Sequence, residues 1–242
     1  MKKDLISIVQ EILSDMDSDE VDNIADSVEA EQVARIVAST FDRLVADRVF
    51  PEHKELRQID SLAQSERPNY FILPADIRLL EKFKYKVSGM YLDVYYEDSE
   101  SFLERIVSRD STASNVVNVQ SVDSPVTLSI YNNKRPQWFT TFNDEYIVCD
   151  SFDAAVDTTL QTTNTLAMVS VLPSAFLIED DFIPDLDAVH FPMFIQECKS
   201  MCFALLKGVN QKVEQSSRRS MVKTQNDLNR VKIGKRLVDY GR

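Results

Sequence analysis

Two histidines, three cysteines and a few clustered aspartates are the side chains of this 242-residue chain that could do chemistry. His53 sits in a polar stretch after Pro51 with no nucleophile near it at a useful spacing, so it reads as a solvated histidine. His190 lies eight positions before Cys198, and Cys202 follows one helical turn later. Two thiols on one helical face could share a metal. Free cysteines are also among the most buried residues, and both fall on an apolar stripe, so core packing is the reading. Asp180-Asp181 and Asp185 with Asp187 would need one carboxyl group in an apolar pocket to act as an acid/base pair. Placed before a helix, they suit its N-terminal dipole instead. Asp15, Asp17, Asp19 and Asp26 match positions 1, 3, 5 and 12 of a calcium loop. Glu20 stands where that loop needs glycine, so a solvated acidic loop with capping aspartates is expected. Trp138, Phe139 and Phe142 could stack nucleobases, but only Lys134 and Arg135 lie beside them; a hairpin core or subunit interface is the better reading. No catalytic residue, metal or cofactor is expected, and the chain is not read as an enzyme.

Composition narrows the classes further. The only glycines are Gly89, Gly208, Gly234 and Gly241, too scattered to cradle a phosphate, so P-loop and dinucleotide-binding fingerprints are absent. No apolar run approaches eighteen residues, and no transmembrane helix is expected. Two lysines precede an apolar N-terminal stretch, but Asp4, Glu11 and Asp15 interrupt it, which fits an amphipathic helix rather than a signal peptide. Three cysteines make no disulfide framework and suit a reducing compartment.

The elements that would position these residues follow from periodicity. Leu5, Ile8, Val9, Ile12 and Leu13 share one face of a helix over 3–14. A second helix over 27–48 presents Val33, Ile36, Val37, Phe41, Leu44 and Val45, with Asp26 and Glu29 as a capping pair. From Phe50 the texture is β-like. Strands are expected over 56–62, 70–74, 83–87, 90–96, 116–120 and 126–131, with a short helix over 99–108. Ile77 to Leu80 fits a helical turn or a strand equally. Residues 136–152 read as a hairpin about an Asn-Asp turn, and no element is assigned between 153 and 182. After Pro192, Phe194, Cys198, Met201, Cys202, Leu205, Val209 and Val213 trace one face of a long helix, with Gly208 tolerated inside it.

Charge is unevenly placed. Residues 212–242 hold nine Lys/Arg against Glu214, Asp227 and Asp239, a surplus of six; a chain total of −12 then leaves −18 for the rest. An acidic body with a basic tail is unsuited to coating nucleic acid. It suits an arm that docks outside its own subunit.

The segment Pro136-Gln137-Trp138-Phe139-Thr140-Thr141-Phe142-Asn143-Asp144 resembles the hairpin "P-x-[YW]-[YF]-T-[ST]-F-[DN]-D" of head-to-tail adaptor proteins of short-tailed bacteriophages, the tail tubular protein A type. Asn143 stands where aspartate is common. Ser18 to Ile24 with Glu29 to Ala34, Arg67-Pro68-Asn69 with Leu73-Pro74, and Ile183 to Leu186 leading to Glu197-Cys198-Lys199-Ser200 resemble other stretches of that family in the same order. The resemblance implies a structural virion protein of the tail or neck, assembled in the host cytoplasm. Such proteins form a homo-oligomeric ring, a dodecamer, beneath the portal protein. They receive the tail nozzle protein and pass double-stranded DNA through the lumen, with no membrane involved. An acidic lumen would not grip passing phosphates.

The expected fold is α+β. A helical bundle from both chain ends (1–50 and 188–214) carries a β-rich insertion (51–187) and an extended C-terminal arm (215–242). Arg218, Arg219, Lys223, Arg230, Lys232, Lys235, Arg236 and Tyr240 are expected to dock on the portal or a neighbouring subunit. Trp138, Phe139 and Phe142 are expected at a hairpin interface. The alternative is a nucleic-acid-binding accessory protein using the same basic arm.

Overall fold

Asp4 starts the first helix: its carboxylate accepts the Ser7 amide at 3.2 Å, satisfying one of the donors that a helix N-terminus leaves open. A computed structural model describes residues 2–122 and 124–239, with side chains as far as Asn226. In chain order the elements are α1 (Leu5–Asp15), α2 (Val28–Asp47), β1 (Lys54–Arg57), β2 (Tyr70–Ile72), β3 (Ile77–Val87), β4 (Met90–Tyr96), α3 (Ser99–Val107), β5 (Val116–Gln120), β6 (Thr127–Tyr131), β7 (Trp138–Thr141), β8 (Tyr146–Cys149), β9 (Thr165–Val171), α4 (Phe191–Cys202) and α5 (Gln211–Asp239). The fold is α+β, with a large curled mixed sheet. The chain divides into two compact units, 1–52 with 173–242, and 53–172.

In the first unit, α1 buries Leu5, Ile8, Val9, Ile12 and Leu13, the face its spacing predicts. The second helix is capped one residue later than expected: the Ser27 hydroxyl accepts the Ala30 amide at 3.0 Å. Asp26 instead closes the preceding 3₁₀ turn, accepting the amides of Asp22 and Asn23 at 3.0 and 2.7 Å. Phe41 of α2 meets Phe194 of α4 at 6.0 Å and Phe176 at 5.3 Å. Cys198 and Cys202 are fully buried in the same apolar cluster, as core packing requires. The stretch 173–187, grouped with the β-rich part on sequence, belongs here. Phe176, Phe182 and Leu186 pack into the helical core, and the carbonyls of Phe182 and Asp180 accept the first amides of α1 at 2.8 and 3.1 Å.

The long C-terminal helix expected from Pro192 onward is two helices. The turn 203–207 widens, and the Gly208 amide reaches back five residues to the Phe203 carbonyl at 2.7 Å. Gly208 then takes φ +106°, ψ 161°, a conformation open essentially to glycine alone. The chain folds back, and Ser216 donates to Gln196 at 3.0 Å while Ser217 donates to Glu197. Leu205 and Val209, expected on the buried stripe, are therefore 63 and 69% exposed at the reversal.

The second unit holds a seven-stranded sheet in the order β1-β9-β3-β4-β7-β8-β2, antiparallel except for the β4–β7 pair, and a separate β5–β6 ribbon. Strand β9, in the stretch left unassigned on sequence, pairs with both β1 and β3. Phe71, Phe83 and Phe139 stack edge to face at 5.5 Å in its core. Among the described residues no helix is long and apolar enough to cross a membrane.

Candidate functional site

The hairpin β7–β8 is built as its sequence suggests, with Phe139, Thr140 and Thr141 facing Cys149, Val148 and Ile147. Asp144 accepts a left-handed φ of 57° at the turn. Its aromatic residues are placed in three different surroundings. Phe139 is buried, its ring against Phe83 and Tyr96, so it serves the core of its own unit. Phe142 is 40% exposed and rests on Phe102 at 6.1 Å. Trp138 is half-buried and belongs to a different group.

That group surrounds a cavity of about 280 Å³ beside the hairpin. The buried Asp150, one residue past β8, organises it. One carboxylate oxygen accepts the amides of Gln137 and Trp138 at 3.0 Å each and the Ser151 hydroxyl at 3.0 Å. The other accepts from Arg109 at 3.2 Å. Arg109 also donates to the Ser129 and Asp150 carbonyls at 3.0 and 2.7 Å. Its guanidinium lies 4.1 Å from the Tyr131 ring centre, and Lys134 lies 4.3 Å from the same ring. Arg105, on α3, sits 4.7 Å from the Trp138 ring and is held by Glu97 at 2.7 and 2.8 Å. Burial pushes the Arg109 pKa down against the pull of Asp150, whereas the Glu97 hydrogen bonds raise that of Arg105. Only Lys134 was in view on sequence, because Arg105 and Arg109 lie some thirty positions upstream. The helical spacing of four that puts both arginines on one face of α3 and its end was the available signal.

The expected docking residues from Arg218 to Arg236 lie on α5. Arg218, Arg219 and Lys223 are exposed, and Arg218 is paired with Glu214 at 2.5 Å. The side chains of Arg230, Lys232, Lys235 and Arg236, and all of Tyr240, lie outside the described residues. On α5, Ser217 is buried and Met221 packs against the helical core.

Of the acidic residues of 15–26, two are engaged as structure, while Asp17, Asp19 and Glu20 are exposed. Asp15 pairs with Lys199 at 2.7 Å, and Asp26 is held in its cap. Among the described residues no three His, Cys, Asp or Glu side chains converge to hold a metal ion. Asp180 accepts the Ile24 amide at 3.0 Å, and Asp187 receives the Val189 amide at 3.3 Å, before α4. His190 meets Glu52 at 2.9 Å. Burial works against the Glu52 carboxylate, but the Asp187 amide, its own amide and His190 outweigh it and lower its pKa. All three thiols are buried; burial raises each, Cys202 to about 12, which leaves them unreactive.

No family model matches the chain. Over 77 residues it is 34% identical to an EF-hand calcium-binding domain-containing protein 4A of Xenopus tropicalis, a match covering 32% of this chain and 27% of that protein. So short a share of both carries no family assignment, and the chain spans about a quarter of that relative's length.

Proposed function

We propose that this protein is a structural, non-enzymatic, ring-forming adaptor of a short-tailed phage, joining the portal protein to the tail nozzle around a DNA channel. In this reading α1, α2 and α4 form a helical bundle, the β-rich unit is inserted into it, and α5 is the docking arm. The observation that carries the reading is α5 itself. It runs 29 residues and presents Arg218, Arg219 and Lys223 to solvent. A helix this polar does not stabilise itself by burial, so a partner surface is what gives it a role. The hairpin motif at 136–144 and the ordered matches along the chain support the same assignment.

The test is co-sedimentation with the portal ring of the same virus. Saturation near one copy per portal subunit is expected. A cut at 215 is unsuitable, because it would remove the buried Ser217 and the packed Met221. Truncation after Thr224, combined with Arg218→Glu and Arg219→Glu, should abolish attachment while the cooperative unfolding transition of the subunit stays that of the parent protein. Attachment that survives both changes overturns the reading. Binding of free DNA with a steep salt dependence, without portal binding, would favour the nucleic-acid-binding alternative.

A further inference from the structure

We propose that the cavity lined by Arg105, Arg109, Lys134, Trp138, Tyr131 and Asp150 binds a phosphate group, as free phosphate or as the backbone of a nucleic acid. Three cations and a single carboxylate line it, in a chain whose net charge is −12. Glu97 pairs with Arg105 and Asp150 with Arg109, so the charge in excess is that of Lys134, beside guanidinium donors that the two carboxylates leave unused.

Asp150 is spoken for. Its carboxylate collects two amides, a hydroxyl and a guanidinium, so its lone pairs are engaged and its charge is neutralised by Arg109. Donors remain on all three cations. Arg105 uses Nε and Nη2 on Glu97, which leaves Nη1. Arg109 uses Nη1 and Nη2, which leaves Nε. Lys134 has, among the described residues, no carboxylate partner at all; its ammonium rests over the Tyr131 ring. These donors come from α3, from the turn following it and from the loop after β6. A tetrahedral oxyanion accepts from several directions at once, whereas a planar carboxylate matches one guanidinium fork.

The aromatic rings decide between a phosphate and a stacked base. Tyr131 carries two cations over its ring, and Trp138 carries Arg105 and the ring of Tyr95 at 5.6 Å. Their surfaces hold the cations in place and are not presented as a platform for bases. Arg109, with a side chain only 4% exposed, is fixed as the floor of the site, and Arg105 and Lys134 supply the adjustable contacts.

The experiment is isothermal titration of the full chain with inorganic phosphate, repeated with a short DNA duplex. Saturable one-to-one phosphate binding is expected, weakened about tenfold by Lys134→Ala and again by Arg105→Gln, since one charge-assisted hydrogen bond is worth about that factor. Arg109 is left intact because its removal would strand the buried Asp150. DNA binding that phosphate displaces, and that both variants weaken, assigns the site to nucleic acid. Phosphate binding without DNA binding assigns it to the free anion. The absence of saturable phosphate binding, or binding indifferent to both substitutions in proteins with native circular dichroism, overturns the proposal.

Discussion

Lys199 is the residue on which much of the polar bookkeeping of the helical unit converges. It is buried in α4 and reaches Glu11 at 2.6 Å and Asp15 at 2.7 Å, joining α4 to α1, while Lys3 also pairs with Glu11. Burial disfavours its charge, but the hydrogen bonds to Asp15 and Glu11 prevail and raise its pKa. Burial likewise raises the Glu11 pKa, and the bonds from Lys199 and Lys3 prevail in lowering it. A lowered carboxyl pKa adds stability above the ordinary glutamate range, lost as pH falls through the folded value. A raised lysine pKa adds stability below the ordinary lysine range, lost as pH rises through its folded value. Both contributions are in force at neutral pH. Lys199→Met should therefore cost roughly 1–2 kcal/mol in urea denaturation at pH 7, discounted because Glu11 and Asp15 reach solvent. The gap to the parent protein should narrow towards pH 3. An equal gap at both pH values would mean that lost packing, not the ion pairs, sets the cost.

At the scale of elements, Gly208 is where a single residue sets the path of the chain. A Cβ there would meet nothing within 4 Å, so the penalty for Gly208→Ala is confined to its backbone at φ +106°. That strain is worth about 1–3 kcal/mol. The substitution should lower the urea midpoint by a corresponding amount; an unchanged midpoint would show that α4 and α5 can run on as one helix. The reversal was hidden in the sequence because Leu205, Val209 and Val213 continue the apolar period of α4 straight through the glycine. The helices α1 and α2 were legible because their apolar faces keep the helical period, although the cap of α2 falls one residue later than expected, and β4, α3 and the 136–152 hairpin because alternation or turn chemistry marks them. Strand β3 was ambiguous at its start for a physical reason. Register shifts between Ile77 and Leu79 and between Leu80 and Lys82 put Ile77, Leu80 and Phe83 on the inner side and leave Leu79 49% exposed. An inward spacing of three imitates a helix. Strand β9 shows plain alternation in its buried Thr165, Ala167 and Val169, a signal present but unused. The phosphate cavity was the least legible feature, since its cations come from three segments that only the fold assembles.

For the whole molecule, the two apolar clusters imply two separable folding units. Residues 53–172 are continuous in sequence and enclose their own core, with Phe71, Phe83, Phe139, Val148 and Val169 among its buried members. Their ends lie side by side, because β1 and β9 pair with Lys54 opposite Ser170 and Arg57 opposite Ala167. A unit of about 120 residues whose termini meet is of ordinary domain size and can be inserted into, or cut from, a host without breaking its ladder. The isolated 53–172 fragment should therefore fold cooperatively, with one transition by circular dichroism, and should retain phosphate binding at Arg105, Arg109 and Lys134. The complementary chain, with Glu52 joined to Pro173 by a short Gly/Ser linker, should keep the helical core and α5, and with them any attachment to the portal. A fragment that stays unfolded would show that the β-rich unit depends on the helical one. A folded fragment that sediments with the portal would move the docking function off α5, because nothing of that helix remains in it.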